Sequence, residues 1–175
     1  MGLHAKILHN VAGPACDVFI NYRTVDTRRS VVRLLYNHLT QQGCKPFLDV
    51  ENLRLGDRLL DTIDKAIRGC SVGVAVFSPR FCDSYYCLHE LSLIMESKKP
   101  IVPIFYDVKP SQLRIVDSRI LMSCSQKDLR RFDFAIEEAK CIVGLPFDSS
   151  KDDCSELVRK ASNAVMSKLH EESSA

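Results

Sequence analysis

In the stretch "SYYCLHEL", residues 84 to 91, one carboxylate, Glu90, stands among aromatic, sulfur and aliphatic neighbours. On a helix, Tyr86 lies four residues before Glu90 and shares its face, while Leu88, Leu91 and Met95 form a neighbouring apolar stripe. An aromatic ring one turn from a carboxylate can stack on a flat substrate group, or raise the carboxylate's pKa by excluding water. The competing reading is a solvated place on the helix surface, where most glutamates sit. Arg23 and Arg54 are the cations best suited to a phosphate partner. For each of them a salt bridge or a plain surface arginine is the competing reading.

Several chemistries are excluded by what the chain lacks. The loop after the first apolar run reads "NYRTVDTR", with no glycine to let backbone approach a pyrophosphate. There is no Walker A lysine loop and no G-x-S-x-G elbow. "AVFSPRF" ends its run on Ser78, Pro79 and Arg80, where a phospho-acceptor aspartate would be needed. The histidines His4, His9, His38, His89 and His170 are dispersed. Eight cysteines form no C-x-x-C pair, so no metal site is expected, and they read as reduced thiols packed as small hydrophobes. The 24 basic and 22 acidic residues leave a net charge of +2, too balanced for a nucleic-acid footprint. No apolar run approaches the roughly 20 residues that span a bilayer, so no membrane insertion is expected. "MGLHAKILHN" has no sustained apolar core of a secretory leader, and Lys6 stands where a myristoylation signal needs Ser or Thr.

The elements that must position these residues alternate. "CDVFIN" (16–21) reads as a buried strand, and "TRRSVVRLLYNHLTQQG" (27–43) as a helix with Val31, Leu34, Leu35 and Leu39 inward. "KPFLD" (45–49) is a strand, and 56–69 a helix that Asp57 can cap. "SVGVAVF" (71–77) is a buried strand, followed by a helix over 83–98 capped by Asp83 or Ser84. "IVPIFY" (101–106), a helix over 128–140, a strand near "CIVG" (141–144) and a helix over 152–170 complete the series. Residues 1–14 read as a leader, 15–170 as one domain, and 171–175, "EESSA", as a frayed end. Five strands alternating with helices predict an α/β fold, a flavodoxin-like, doubly wound parallel sheet. Its ligand crevice lies beyond the carboxyl ends of the strands, at loops 21–27, 49–57, 78–83 and 106–116. In the last of these, Asp107 reads as a local cap or anchor and Pro110 as fixing a turn.

Read together, "CDVFINYRTVDTRRSVVRLLYNHL", "KPFLDVENLRLGDRLLDTIDKAI", "VAVFSPRFCDSYYCLHEL" and "IVPIFYDVKPSQLR" resemble successive blocks of a plant Toll/interleukin-1 receptor (TIR) domain. The resemblance runs from about Cys16 to Leu169, and no nucleotide-binding switch or leucine-rich repeat follows, as in a TIR-only protein. It implies a five-stranded flavodoxin-like fold and hydrolysis of NAD+ at its nicotinamide–ribose bond. The products would be nicotinamide with ADP-ribose or cyclic ADP-ribose variants, acting as immune and cell-death signals. NAD+ is then the substrate, with NADP+ as an alternative, and no cofactor is required. The family's catalytic glutamate falls on Glu90. Tyr22, Arg23 and Thr24 match its cleft-lining residues after the first strand, and Tyr86 and Cys87 stand beside the glutamate. The family's long loop after the second strand matches Asp49 to Gly56, which holds Asn52, Arg54 and Gly56. With its glycine pivot it can close as a lid or serve as a docking loop. The resemblance also implies self-association into dimers or larger assemblies, pairing with other TIR-domain immune receptors, and a cytoplasmic or nuclear location. The alternative function is a non-enzymatic TIR–TIR adaptor.

The chain departs from the plant pattern at three places. Thr24-Val25 stands for a usual Gly-Glu, Tyr86 for a usual Trp, and Arg33-Leu34 for a Ser-His pair used in one self-association surface. The missing second carboxylate fits the implied reaction. Glycosidases use a second carboxyl to protonate an alcohol leaving group. Nicotinamide in NAD+ is already a pyridinium and leaves neutral, so one carboxylate suffices to steady an oxocarbenium-like transition state.

Overall fold

A computed structural model describes residues 16–27, 30–48 and 55–175 of the chain. Five strands, β1 (Val18–Tyr22), β2 (Pro46–Phe47), β3 (Val72–Phe77), β4 (Ile101–Tyr106) and β5 (Leu145–Phe147), form one sheet in the order β2-β1-β3-β4-β5. Every pairing is parallel, with Val18 opposite Val72, Gly73 opposite Ile101 and Ile104 opposite Leu145. The helices are α1 (Ser30–Gln41), α2 (Leu59–Gly69), α3 (Tyr85–Glu96), α4 (Ser118–Ser123), α5 (Gln126–Lys140) and α6 (Cys154–Ser173).

The central strands are apolar on both sides because both faces of the sheet are covered. Along β3, Val72, Val74 and Val76 join one core with Val31, Val32, Leu35 and Leu39 of α1 and Leu157, Ala161 and Val165 of α6. Ala75 and Phe77 point the other way, into a core shared with Ile63 and Ile67 of α2, Leu88, Leu91 and Ile94 of α3, and Phe132 and Ile136 of α5. Phe77 meets Phe81 edge-on at 4.9 Å and stacks on Phe105 at 5.5 Å. Each fully buried side chain of this size contributes about 2–3 kcal/mol. Gly73 brings α3 close to the sheet, since a Cβ there would lie 3.0 Å from Ile94 Cγ2. Ile94 is one turn beyond Glu90, so this contact sets the depth of the helix that carries the carboxylate.

The strand order reverses direction between β1 and β3, whose helices α1 and α3 leave on opposite faces of the sheet. That switch opens a crevice above their carboxyl ends. It is the point from which the site is built.

Several local expectations are corrected. The strand expected at 141–144 is displaced to Leu145–Phe147, because α5 runs to Lys140 and Cys141 caps it, leaving residues 141–144 to turn the chain. The helix expected from residue 56 starts at Leu59, with Arg58 in the cap position. Leu34, expected inward, is 46% exposed, since Val32 takes the inward place beside Val31 and Leu35. α6 runs on through the first three residues of "EESSA", to Ser173. By contrast, β4 spans 101–106 as expected, and Ser84 caps α3 by accepting from Cys87 N at 3.3 Å.

Candidate active site

Glu90 is 7% exposed, which removes the solvated-surface reading. α3 is buried almost all round, with Cys87, Leu88, Glu90, Leu91, Ser92, Leu93 and Ile94 all inside. A helix of this kind has no wet face at its middle, so apolar spacing could not reveal how deep Glu90 sits. A carboxylate so placed is costly to desolvate and is kept where it has a task or a partner.

The turn before it is fastened to β1. Asn21 Nδ2 donates to the Cys87 carbonyl at 3.3 Å, and the Cys87 thiol lies 3.4 Å from the Tyr22 carbonyl. Cys87 is buried, and its thiol ties α3 to the strand. Tyr22 and Arg23, at and just beyond the end of β1, are partly buried, and Thr24 is exposed beside them. Arg23 Nε is buried without a hydrogen-bond partner.

Tyr86 is 50% exposed, and its ring meets Tyr85 edge-on at 5.9 Å. Tyr85 in turn stacks on His89 at 6.0 Å and touches Phe132 edge-on at 5.7 Å. His89 Nε2 reaches Asp64 Oδ1 at 2.9 Å, joining α3 to α2. Gly56 holds φ of +94°, a left-handed conformation that favours glycine. Asn52 and Arg54 lie outside the described residues.

Sequence reasoning missed a staple between the two loops of the crevice. Asp26 accepts from Ser78 Oγ at 2.8 Å, from Arg80 N at 2.8 Å and from Arg80 Nε at 2.9 Å. Its side chain is only 5% exposed, while that of Arg80 is 58% exposed. The loop that follows β1 is thereby locked to the loop that follows β3, and Arg23 is carried on the locked segment. More than 50 residues separate the partners, so no local motif announces the pair. Asn21 was missed for the same reason.

At the far edge, the local role expected of Asp107 is corrected: it anchors a loop 42 positions away, with Oδ1 accepting from Ser149 N at 2.7 Å and Oδ2 from Ser149 Oγ at 2.6 Å, because β4 and β5 end side by side. Pro110 opens a single 3₁₀ turn, Pro110–Gln112, as expected of a turn-fixing proline. Among the described residues, no group of three or more His, Cys, Asp or Glu side chains is arranged to hold a metal ion, and no helix is long and apolar enough to cross a membrane.

A parallel doubly wound sheet with one buried glutamate behind its switch point defines the class of protein. A TIR domain family model matches residues 18–142, and the chain belongs to that family. It is 52% identical over 154 residues to a Brachypodium distachyon protein named as a probable 2′ cyclic ADP-D-ribose synthase, BdTIR, covering 86% of this chain and 67% of that protein. It is 31% identical over 166 residues to the TMV resistance protein N of Nicotiana glutinosa, covering 87% of this chain but only 14% of that much longer protein. Among solved structures it resembles the TIR domains of the activated Roq1 resistosome, which directly recognizes the pathogen effector XopQ. That similarity has a TM-score of 0.74 at 28% identity and covers 86% of this chain and 99% of the other.

Proposed function

We propose that this chain cleaves the nicotinamide–ribose bond of NAD+ and releases ADP-ribose or a cyclic ADP-ribose variant as an immune signal. The observation that carries this reading is the burial of Glu90, 7% exposed, on the helix that borders the switch-point crevice. The similarity to a protein named as a cyclic ADP-ribose synthase supports it. In the reaction the bond from C1′ to the pyridinium nitrogen breaks, and nicotinamide leaves neutral with the bonding pair. The ribose becomes oxocarbenium-like, and Glu90 steadies that charge. Water then attacks C1′ to give ADP-ribose, or a hydroxyl of the adenosine ribose attacks to close a ring; the nucleophile loses its proton in either case. Arg23 is the partner for the pyrophosphate, and Tyr22, Thr24, Asn52, Arg54, Gly56, Tyr86 and Cys87 are the further substrate contacts of this reading. NADP+ is an alternative substrate, and the reaction needs no further cofactor.

TIR domains occur in assemblies such as the resistosome. We place the same requirement on this chain: self-association, with copies of itself or with other TIR domains, completes the cleft in the cytoplasm or nucleus. The exposed α1 surface around Leu34, which lines a groove with His38, Glu156 and Arg159, supports such packing.

The test is nicotinamide release from NAD+ by purified protein. Glu90→Ala is expected to lower it by roughly 100-fold or more. Equal release by both proteins sinks the assignment. No release by the parent at any concentration favours the adaptor function instead. Activity per molecule should climb with protein concentration, and a flat curve contradicts activation by assembly.

A further inference from the structure

Asn21 is fully buried, at 0% exposure, in a strand whose other inner residues are Val18, Phe19 and Ile20. By strand alternation it shares the side of Phe19, which packs in the same core as Leu88 and Leu91 of α3. Its Nδ2 reaches the Cys87 carbonyl, 66 positions away in the chain, while its Oδ1 is buried with no hydrogen-bond partner. Leucine would fill nearly the same space without leaving a polar atom stranded, so packing alone gives no reason for an amide here. The stranded oxygen marks a residue kept for where it points rather than for stability.

We propose that Asn21 is a positioning residue for the candidate NAD+-cleaving site, acting through the Cys87 carbonyl on Glu90. The inference rests on the reading of Glu90 as the acting carboxylate. Cys87 lies one helical turn before Glu90, so the bond fixes the height and rotation of α3 just ahead of the turn that carries the carboxylate. The Cys87 thiol on the Tyr22 carbonyl is a second point of the same clamp, and Tyr22 leads directly to Arg23. A helix held at two points by the strand that carries Arg23 keeps both charges in register. Small losses of such register are expensive in rate, since a displacement of about 1 Å can cost roughly 100-fold.

The test is Asn21→Leu, measured for kcat and KM of nicotinamide release, for thermal unfolding, and for amide hydrogen exchange over residues 85–91. The variant is expected to unfold at nearly the parent temperature, to lose roughly 10- to 100-fold in kcat with KM changed less than about threefold, and to exchange faster in the first turns of α3. In a Glu90→Ala background the same change should cost nothing further. If Asn21→Leu does not fold, Asn21→Ser withdraws the amide more gently and is read in the same way. A kcat equal to that of the parent in a folded variant overturns the positioning role alone. A parent that releases no nicotinamide overturns the functional reading, and this role with it. A uniform fall in stability with kcat intact would likewise overturn it, by making Asn21 an ordinary structural residue.

Discussion

Two corners of this sheet are built alike and differ in how completely they are satisfied. At the ends of β1 and β3, Asp26 reaches across to Ser78 and Arg80; at the ends of β4 and β5, Asp107 reaches across to Ser149. Both are aspartates that staple neighbouring loops. The Asp107 corner is exposed, and its carboxylate oxygens are both taken by Ser149. At the Asp26 corner the Asp26 side chain and Ser78 are buried, and on β1 and the loop that follows it Asn21 Oδ1 and Arg23 Nε have no partner. Unpaired groups are expensive in a low-dielectric interior and inexpensive at the surface. Two of the four such atoms among the described residues, Asn21 Oδ1 and Arg23 Nε, belong to β1 and the loop after it, and none to the Asp107 corner.

The sharpest way to break this comparison is to remove each aspartate. Asp26→Ala strands the buried Ser78 hydroxyl and the Arg80 amide, and is expected to destabilise by about 3 kcal/mol in urea unfolding. Asp107→Asn keeps a residue that tolerates φ of +54° and should cost about 1 kcal/mol. Equal losses would erase the distinction. Gly73→Ala comes next: it must push Ile94 aside, which costs about 1–2 kcal/mol in the same measurement. It should also lower nicotinamide release by shifting α3, and a stable variant with full activity would show that the depth of α3 is not critical.

Thiol labelling probes the interior at smaller cost. Burial pushes the thiols of Cys16 and Cys82 up to about 12 and that of Cys70 up to about 11. At neutral pH these should resist alkylation in the folded protein, while the exposed Cys141 reacts first. Early labelling of Cys82, which packs in the core with Phe77 and Phe81, would show that this corner opens readily. The smallest effect is electrostatic and peripheral. Hydrogen bonds from Arg119 hold Asp117 down to about 2, and those from Ser150 and Ser155 lower Asp148 and Asp153. Groups with lowered folded pKa contribute stability above the ordinary carboxylate range and lose it as pH falls toward the folded value. For Asp117 that window lies between about 4 and 2, and carboxyl NMR titration should find its midpoint near the lower end.

The legible and illegible parts of the molecule divide by distance along the chain. "IVPIFY" and "SVGVAVF" declare buried strands because both faces of a parallel sheet are covered. The Ser84 cap was legible because it acts within one turn. Glu90 was legible as a candidate through the order of four motif blocks, whereas its depth was not. The stripe of Leu88 and Leu91 describes one face of α3, while packing against α2, α5 and the sheet covers the others.

By itself, then, the sequence determined the alternation of strands and helices, the membership of the TIR family, and the identity of the one carboxylate worth testing. These follow from hydrophobic period and short-range chemistry, which act over a few residues. Only the tertiary structure decided that Glu90 is buried, that Asn21 is tied to its helix, and that Asp26 locks the crevice loops to each other. Those bonds join residues more than 50 positions apart, and they exist only because a parallel sheet brings the ends of β1 and β3 side by side.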